Sequence, residues 1–285
     1  MNLSIDYNSP NKLKIFLAER HIGMRKQFGQ NFLINPSIRR WLVDALETRA
    51  GDSVWEIGPG LGAMTVELLN RGLFVTAFEI DSGFSSILKE IFGENPDFTL
   101  IEGDVLSTWN RGTDAPFLFG NLPYGIAAVL IATFIEHNRF FSRAVFTVQR
   151  EIAERAAAGP GSKNYSAFSV LCASAYHVKL LPVIHAASFY PAPHVDSMGI
   201  RFDLRDDCDP AGYPALFRPL VRNLFASRRK TLKNNLKTFL GSQGKNPDHA
   251  ADLLAESGID GAARAETLRC GHFVSLAQTI ESYYN

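Results

Sequence analysis

The sequence lacks the features that would place the protein in a membrane or in an oxidising compartment. No uncharged apolar run reaches the length of about 18 residues that a membrane-spanning helix needs, and the N-terminus has no apolar core of a secretory signal. Cysteine is scarce, and Cys172, Cys208 and Cys270 stand far apart without a Cys-x-x-Cys pair. That spacing argues against a disulfide framework and a zinc site, and the seven histidines show no metal-ligand spacing. We therefore expect a cytoplasmic protein without a bound metal.

An excess of either charge is also missing, since Lys and Arg together number 29 and Asp and Glu together number 29. Overall charge therefore favours neither an acidic nor a basic partner, and only local clusters of charge are informative. Hydrophobic residues make up 46% and charged residues 20% of the chain, which is typical of a globular protein with a sizeable core.

Short apolar runs alternate with helical patterns from residue 54 to about residue 204, which favours a mostly parallel sheet with helices on both faces. The strands are predicted at residues 53–58, 74–80, 98–103, 116–121, 143–149, 177–185 and 197–204. Helices are predicted between them, at residues 62–71, 83–92, 126–137 and 165–176. A polar break at 205–214 is followed only by helical patterns, at residues 215–240, 247–257, 262–268 and 274–283. We therefore expect an α/β protein with a seven-stranded sheet, in which a domain of residues 1–206 precedes a small helical domain of residues 207–285.

A glycine-rich turn follows the first predicted strand, in the stretch EIGPGLGAMT (residues 56–65). Gly58 and Gly60 lie where a ligand can approach the backbone closely only if side chains are missing. Glu79 ends the second strand about 20 residues later, where a carboxylate can accept hydrogen bonds from ribose hydroxyls, and Asp104 follows the third strand. The pattern predicts an adenosine-containing cofactor at the carboxyl ends of the strands. By itself the pattern leaves two alternatives open. One is an NAD-dependent dehydrogenase, since these residues also satisfy Gly-x-Gly-x-x-Ala, and the other is a tight turn without any ligand.

The stretch GNLPYGI (residues 120–126) places polar and aromatic residues at the end of the fourth strand. The amide oxygen of Asn121 can accept a hydrogen bond from an exocyclic amine, and Pro123 makes the turn rigid, so that the Leu122 carbonyl can act as a second acceptor. Tyr124 offers an aromatic face on which a base can stack. Two acceptors draw the lone pair of a planar amine out of conjugation, which prepares the nitrogen to attack the sulfonium methyl group of S-adenosylmethionine. The two motifs together indicate an adenine amino-methyltransferase, with a strand-end turn and a core tyrosine as the structural alternative.

Nearly the whole chain resembles the KsgA family of ribosomal RNA adenine dimethyltransferases. The matching stretches include RKQFGQNFL (25–33), EIGPGLGAMT (56–65), GNLPYGI (120–126), FYPAPHVDS (189–197) and FASRRKTLKNNL (225–236). The resemblance implies a Rossmann-like methyltransferase sheet with a small C-terminal helical domain, and S-adenosyl-L-methionine as the cofactor. It implies cofactor contacts at Asn31, Leu33, Gly58, Gly60, Glu79, Asp104 and Asn121. It also implies that the target base is held by Asn121, Leu122, Pro123, Tyr124 and Phe189, and Phe189 would stack on the second face of the base.

Basic residues cluster in two segments that are candidates for RNA binding, one ahead of the cofactor site with Lys12, Lys14, Arg20, Arg25 and Lys26, and one at residues 222–237. Six basic residues and no acidic residue lie between Arg222 and Lys237, and four of them would share one face of a continuous helix, unless the helix breaks near Ser227. A base must leave its stack to reach Tyr124, which favours a hairpin loop or a single strand over a duplex. The alternative is that both clusters are only solvated surfaces. The residues predicted to contact RNA are Arg25, Lys26, Arg222, Arg229, Lys230, Lys233 and Lys237.

By resemblance, the expected substrate is a pair of adjacent adenosines in the 3′-terminal hairpin loop of small-subunit (16S) ribosomal RNA, each receiving two methyl groups. We expect a monomer that acts on a partly assembled small subunit during ribosome biogenesis. The alternatives are a large-subunit rRNA adenine methyltransferase that confers antibiotic resistance, a DNA adenine methyltransferase, a ribosome-assembly checkpoint protein that acts mainly by binding RNA, and a transcription factor that has lost catalysis. The segment RRKTLKNNL (228–236) favours the small-subunit enzyme, and the intact Glu79, Asp104 and Asn121 argue against loss of catalysis.

Overall fold

The structure, a computed structural model, describes residues 5–23 and 31–284. Its strands are β1 (Phe32–Leu33), β2 (Ser53–Ile57), β3 (Phe74–Glu79), β4 (Phe98–Glu102), β5 (Phe117–Asn121), β6 (Arg143–Gln149), β7 (Tyr176–Ile184), β8 (Phe189–Tyr190) and β9 (Ser197–Leu204). Its helices are α1 (Pro10–Glu19), α2 (Pro36–Asp44), α3 (Ala63–Leu69), α4 (Ser82–Phe92), α5 (Val105–Thr108), α6 (Ala127–Glu136), α7 (Arg150–Ala156), α8 (Ala167–Ala175), α9 (Phe217–Ala226), α10 (Leu232–Ser242), α11 (Ala250–Glu256) and α12 (Cys270–Tyr284). All seven strands predicted from the hydrophobic pattern are confirmed, each to within one residue at either end. Among the described residues, no helix is long and apolar enough to cross a membrane.

Seven strands of the described chain form one sheet, in the order β4-β3-β2-β5-β6-β9-β7, which confirms the predicted fold class. The strands β2 to β6 run parallel to their neighbours, whereas β9 pairs antiparallel with β6. The strand order reverses beside β2, which lies between β3 and β5. Ligands bind to open α/β sheets at such a switch point, beyond the carboxyl ends of the strands.

Consecutive buried apolar residues explain why β2 and β5 form the centre of the sheet. Val54 and Trp55 of β2, and Leu118 and Phe119 of β5, are each at most 1% exposed, although neighbouring side chains point to opposite faces. Both faces are therefore covered, as is usual for parallel sheets. Burial of each large apolar side chain stabilises the fold by about 1.5–3 kcal/mol, and this core holds the strand ends that carry the site.

The chain forms two compact units. The first consists of the described residues up to Leu130, Phe141–Ala153 and Lys179–Leu204. The second consists of Ile131–Phe140, Glu154–Val178 and the described residues from Arg205 onward. The domain boundary expected after residue 206 lies next to the division after Leu204, and the second unit also takes two segments from the middle of the chain.

The single helix predicted over residues 215–240 is wrong, because this segment forms α9 and α10 with a break that begins at Ser227. Thr231 caps α10, since its hydroxyl accepts a hydrogen bond from a backbone N–H of the first turn at 3.4 Å. The buried Asn235 donates through Nδ2 to the carbonyls of Leu224 (3.0 Å) and Ser227 (3.2 Å). One side-chain amide thus satisfies carbonyls that the end of α9 leaves without a helical partner.

The break changes the predicted arrangement of basic residues in this segment. Arg222 lies on α9, Arg229 lies in the connection, and Lys233 and Lys237 lie on α10. The prediction that they share one face of a continuous helix is therefore wrong, and the alternative of a break near Ser227 is confirmed.

Arg39 of α2 joins three segments of the first unit. Its guanidinium group donates to the Leu33 carbonyl at 2.9 Å and to the Asn8 Oδ1 at 2.7 Å, and its Nε lies 3.6 Å from a carboxylate oxygen of Glu67. The Arg39 side chain is buried, so water cannot replace these contacts. Removal of the guanidinium group would take this donor from the Leu33 carbonyl and would leave Glu67 with Arg71, at 3.7 Å, as its remaining ion-pair partner.

We predict that Arg39→Ala lowers the free energy of unfolding by about 2–3 kcal/mol, because the Leu33 carbonyl loses a charged donor and Glu67 loses one of its two arginine partners. Urea unfolding followed by circular dichroism measures the change. The matched control is Arg40→Ala on the exposed side of the same helix, which is expected to change the free energy by less than about 0.5 kcal/mol. Equal effects of the two substitutions would contradict the prediction.

Candidate cofactor and adenine site

A cleft opens beyond the carboxyl ends of β2, β3 and β5. It lies at the switch point of the strand order, where open α/β sheets bind their ligands. Of the residues predicted to contact the cofactor, the cleft is lined by Asn31, Leu33, Gly58, Gly60, Glu79 and Asn121. Its other lining residues are Phe32, Glu56, Pro59, Ala63, Met64, Ile80, Phe84 and Pro123. The structure thus brings together every predicted cofactor residue except Asp104.

The turn between β2 and α3 needs glycine for two separate reasons. Gly58 has a φ of 66°, and a Cβ added there would meet no atom within 4 Å, so its backbone faces open space. Gly62 has a φ of 89°, and a Cβ added there would come within 2.5 Å of the ring of Phe92 on α4. Gly62 therefore permits close helix packing, whereas Gly58 leaves the backbone accessible to a ligand.

Glu79, at the end of β3, is fixed by the backbone on both carboxylate oxygens. Its Oε2 accepts a hydrogen bond from the Gly60 N–H at 2.9 Å, and its Oε1 accepts one from the Asp81 N–H at 2.8 Å. Burial raises the pKa of Glu79, and these two N–H donors oppose that rise. The Ile80 N–H also lowers the pKa of this carboxylate, and since the two oxygens have four lone pairs, Glu79 can still accept a hydrogen bond from a ribose hydroxyl.

Glu56 lines the same cleft, and the sequence analysis missed it. Its side chain is 2% exposed, and its Oε2 accepts a hydrogen bond from the Thr65 hydroxyl at 2.7 Å. Burial raises the pKa of Glu56 to about 8. A buried carboxyl group of this kind favours a ligand that carries a positive charge. The available signal was a single charged residue inside the apolar run SVWEIG, directly before the glycine turn.

Asn121 lies at the end of β5, and both the NH2 group and the oxygen of its side-chain amide form hydrogen bonds. Its Nδ2 donates to the Asn31 carbonyl at 2.8 Å, and its Oδ1 accepts a hydrogen bond from the Thr147 hydroxyl on β6. The next peptide is also fixed, because the Leu122 N–H donates to the Thr147 carbonyl at 3.1 Å. One lone pair of the Asn121 Oδ1 remains for another donor, which is the role predicted from the sequence.

Tyr124 is half-buried, and its phenol oxygen lies 2.6 Å from the Ser197 Oγ on β9. Burial raises the pKa of Tyr124, so the phenol is protonated at neutral pH. Because the hydroxyl is already hydrogen-bonded, the ring face is the part of Tyr124 that is suited to contact a ligand.

Two residues predicted from the resemblance lie elsewhere. Phe189 of β8 pairs with Leu33 of β1, and its side chain is 4% exposed in the core of the first unit. Core packing covers the ring of Phe189 in this structure, and its stacking on the target base stays a prediction. Asp104 is exposed and caps α5, with its Oδ1 accepting a hydrogen bond from the Leu106 N–H at 2.9 Å. It does not line the cleft, and its place near the adenine stays a prediction.

The residues predicted to contact RNA fall into three groups. Arg25 and Lys26 lie outside the described residues. Arg222 forms an ion pair with Glu136, and the Lys237 Nζ lies 3.2 Å from the Asp248 carboxylate. The third group is exposed and, within residues 5–23 and 31–284, forms no ion pair; it consists of Arg229, Lys230 and Lys233.

Comparison of the sequence with known proteins assigns the chain to one protein family. The family model for ribosomal RNA adenine dimethylase matches residues 22–282. A Treponema denticola protein named ribosomal RNA small subunit methyltransferase A is 46% identical over 282 residues, covering 96% of each chain. A Borreliella burgdorferi protein of the same name is 38% identical over 285 residues, covering 100% of this chain and 98% of its own.

Solved structures agree with this match. A dimethyladenosine transferase from Plasmodium falciparum is similar with a TM-score of 0.72 and 25% identity, covering 87% of this chain and 96% of that one. The 23S rRNA methyltransferase ErmE has a TM-score of 0.62 at 22% identity, covering 87% of this chain and 99% of its own, which shows a shared fold.

The cleft fits S-adenosyl-L-methionine, because the open backbone at Gly58 and the buried carboxyl groups of Glu56 and Glu79 suit a ligand with ribose hydroxyls and positive charges. The predicted enzyme class and cofactor are confirmed by a family match that spans most of the sequence. The chain belongs to the ribosomal RNA adenine dimethylase family, whose members transfer methyl groups from S-adenosyl-L-methionine to adenine.

Proposed function

We propose that this protein adds two methyl groups to the N6 amine of each of two adjacent adenosines in the 3′-terminal hairpin loop of small-subunit (16S) ribosomal RNA. The observation that carries the proposal is the position of the Asn121 amide, whose oxygen is held at the same cleft as the open glycine backbone. The names of the Treponema and Borreliella relatives support the choice of the small subunit.

The residues of the site suit a reaction that needs alignment more than acid or base catalysis. Bound S-adenosyl-L-methionine supplies an electrophilic methyl group. The Asn121 Oδ1 and the Leu122 carbonyl accept hydrogen bonds from the target amine and turn its lone pair away from the base. The ring of Tyr124 carries the base and stabilises the positive charge that develops on the nitrogen, by roughly 0.5–2 kcal/mol. Alignment of the reacting atoms can supply about 7–11 kcal/mol of the barrier reduction.

We further propose that the enzyme acts as a monomer in the cytoplasm on a partly assembled small subunit. A base in a hairpin loop leaves its stack at lower cost than a paired base. Methylation rates on protein-free RNA, immature subunits and mature subunits would rank the three substrates. A highest rate on mature subunits would contradict this part of the proposal.

The proposed activity predicts methyl transfer to small subunits purified from a strain that lacks the modification. Nucleoside masses after RNA digestion are expected to show dimethyladenosine confined to the 3′-terminal hairpin. We predict that Asn121→Ala lowers the rate at least about 100-fold, because the amine loses its acceptor. The matched control Asn70→Ala, at an exposed site after α3, is expected to leave the rate unchanged. Transfer to large subunits alone would replace the proposal with the resistance-enzyme alternative.

The high pKa of Glu56 predicts a pH dependence of cofactor binding. Below its pKa of about 8 the free protein carries a proton on Glu56, and a cationic ligand favours the carboxylate. Binding therefore releases a proton, and the affinity for S-adenosylmethionine is expected to rise about tenfold from pH 5.5 to pH 7. Calorimetry in buffers of different ionisation enthalpy measures the proton release. The neutral variant Glu56→Gln is expected to release fewer protons and to show a weaker pH dependence, because only Glu79 remains as a buried carboxyl group with a raised pKa. Proton release equal to that of the wild type would contradict the assignment.

The exposed basic residues before and at the start of α10 predict a salt-dependent contact with RNA. The double substitution Lys230→Ala and Lys233→Ala is expected to weaken RNA binding about tenfold in 0.1 M salt and to reduce the salt slope by about 1 to 2. Cofactor affinity is expected to stay unchanged. The control is Lys245→Ala in the same unit, whose Nζ lies 4.0 Å from the ring centre of Tyr284. An unchanged salt slope in the double variant would show that these lysines do not contact phosphates.

A further inference from the structure

The orientation of the Asn121 amide decides which of its two ends meets a ligand. An amide rotated by 180° exchanges oxygen and NH2 with little change of shape. If the NH2 group of Asn121 faced the target amine, two hydrogen-bond donors would face each other and no hydrogen bond could form. The proposed reaction therefore needs a device that fixes this side chain with its oxygen available.

Two contacts fix the amide in this structure. The Asn31 carbonyl, 2.8 Å from Nδ2, can only accept a hydrogen bond and so selects the NH2 group on its side. The oxygen is thereby directed to Thr147, whose hydroxyl must act as the donor. Thr147 is 1% exposed, so water cannot take the place of its hydroxyl.

The main chain of Thr147 acts on the neighbouring acceptor. Asn121 and Thr147 are register partners in the β5–β6 ladder, and the Thr147 carbonyl accepts the Leu122 N–H at 3.1 Å. One residue of β6 thus contacts both residues that are proposed to grip the amine. Thr147 also carries the one hydroxyl of an otherwise apolar run, AVFTV (residues 144–148), in which the residues on either side are buried.

We propose that Thr147 is a positioning residue for methyl transfer, a role that rests on the proposed function of Asn121. Its hydroxyl donates to one lone pair of the Asn121 Oδ1 and leaves the other lone pair directed to the target amine. Thr147 does not touch the substrate, and it acts only by fixing the orientation of the Asn121 side-chain amide.

Two substitutions of Thr147 separate the hydroxyl from the shape of the side chain. Thr147→Val keeps the branched shape and removes the hydroxyl, whereas Thr147→Ser keeps the hydroxyl and removes a methyl group. We expect Thr147→Val to lower kcat about tenfold, the effect of one lost hydrogen bond that aligns the acceptor. KM for RNA and Kd for S-adenosylmethionine are expected to stay within twofold of the wild-type values. Thr147→Ser is expected to retain kcat within about threefold.

The outcomes distinguish this proposal from the function on which it rests. A wild-type protein that methylates no small-subunit RNA would refute the proposed function itself. An active wild type with an equally active Thr147→Val variant would overturn the role of Thr147 and leave the function intact. If both variants lose activity together with cofactor affinity and thermal stability, Thr147 serves packing alone, and the proposal is again overturned.

Discussion

The chemistry of the site depends on how one amide is held at the end of a strand. The NH2 group of Asn121 donates to the carbonyl of Asn31, and its oxygen accepts a hydrogen bond from Thr147, so that two separate segments of the chain fix one side chain. Rotation of this amide would lose the hydrogen bond to the Asn31 carbonyl, worth about 1 kcal/mol, and would bring the amide oxygen against the carbonyl oxygen. The end of β5 therefore presents a hydrogen-bond acceptor to the cleft, and an acceptor is what an amine requires.

The other half of the cleft suits a ligand that carries both a ribose and a positive charge. Two carboxyl groups, Glu56 on β2 and Glu79 on β3, are buried beside a glycine backbone that faces open space. Burial of carboxyl groups costs stability, which shows in the raised pKa of both residues. The apolar core of the central strands offsets this cost. The same strands therefore stabilise the fold and carry the groups that destabilise it in the absence of a ligand.

Much of this arrangement follows from local sequence patterns. The apolar runs predict every strand of the sheet, and the glycine turn and the Asn-Leu-Pro-Tyr turn identify both halves of the cleft, because short-range patterns encode strands and turns. Long-range contacts are not encoded in this way. The break after α9 depends on Asn235, which binds carbonyls of α9 from the next helix, and the burial of Phe189 depends on its pairing with β1. Thr147 looks like an ordinary strand residue until β6 is placed beside β5.

The most direct test of the arrangement is a crystal structure of the protein with S-adenosylhomocysteine and an RNA hairpin that carries the unmodified adenosines. An unstacked adenosine is expected with its N6 about 3 Å from both the Asn121 Oδ1 and the Leu122 carbonyl, and with its base on the ring of Tyr124. The contacts of Asn121 with Asn31 and Thr147 are expected to persist. An adenosine N6 directed away from Asn121, or an Asn121 amide turned to present its NH2 group, would contradict the account.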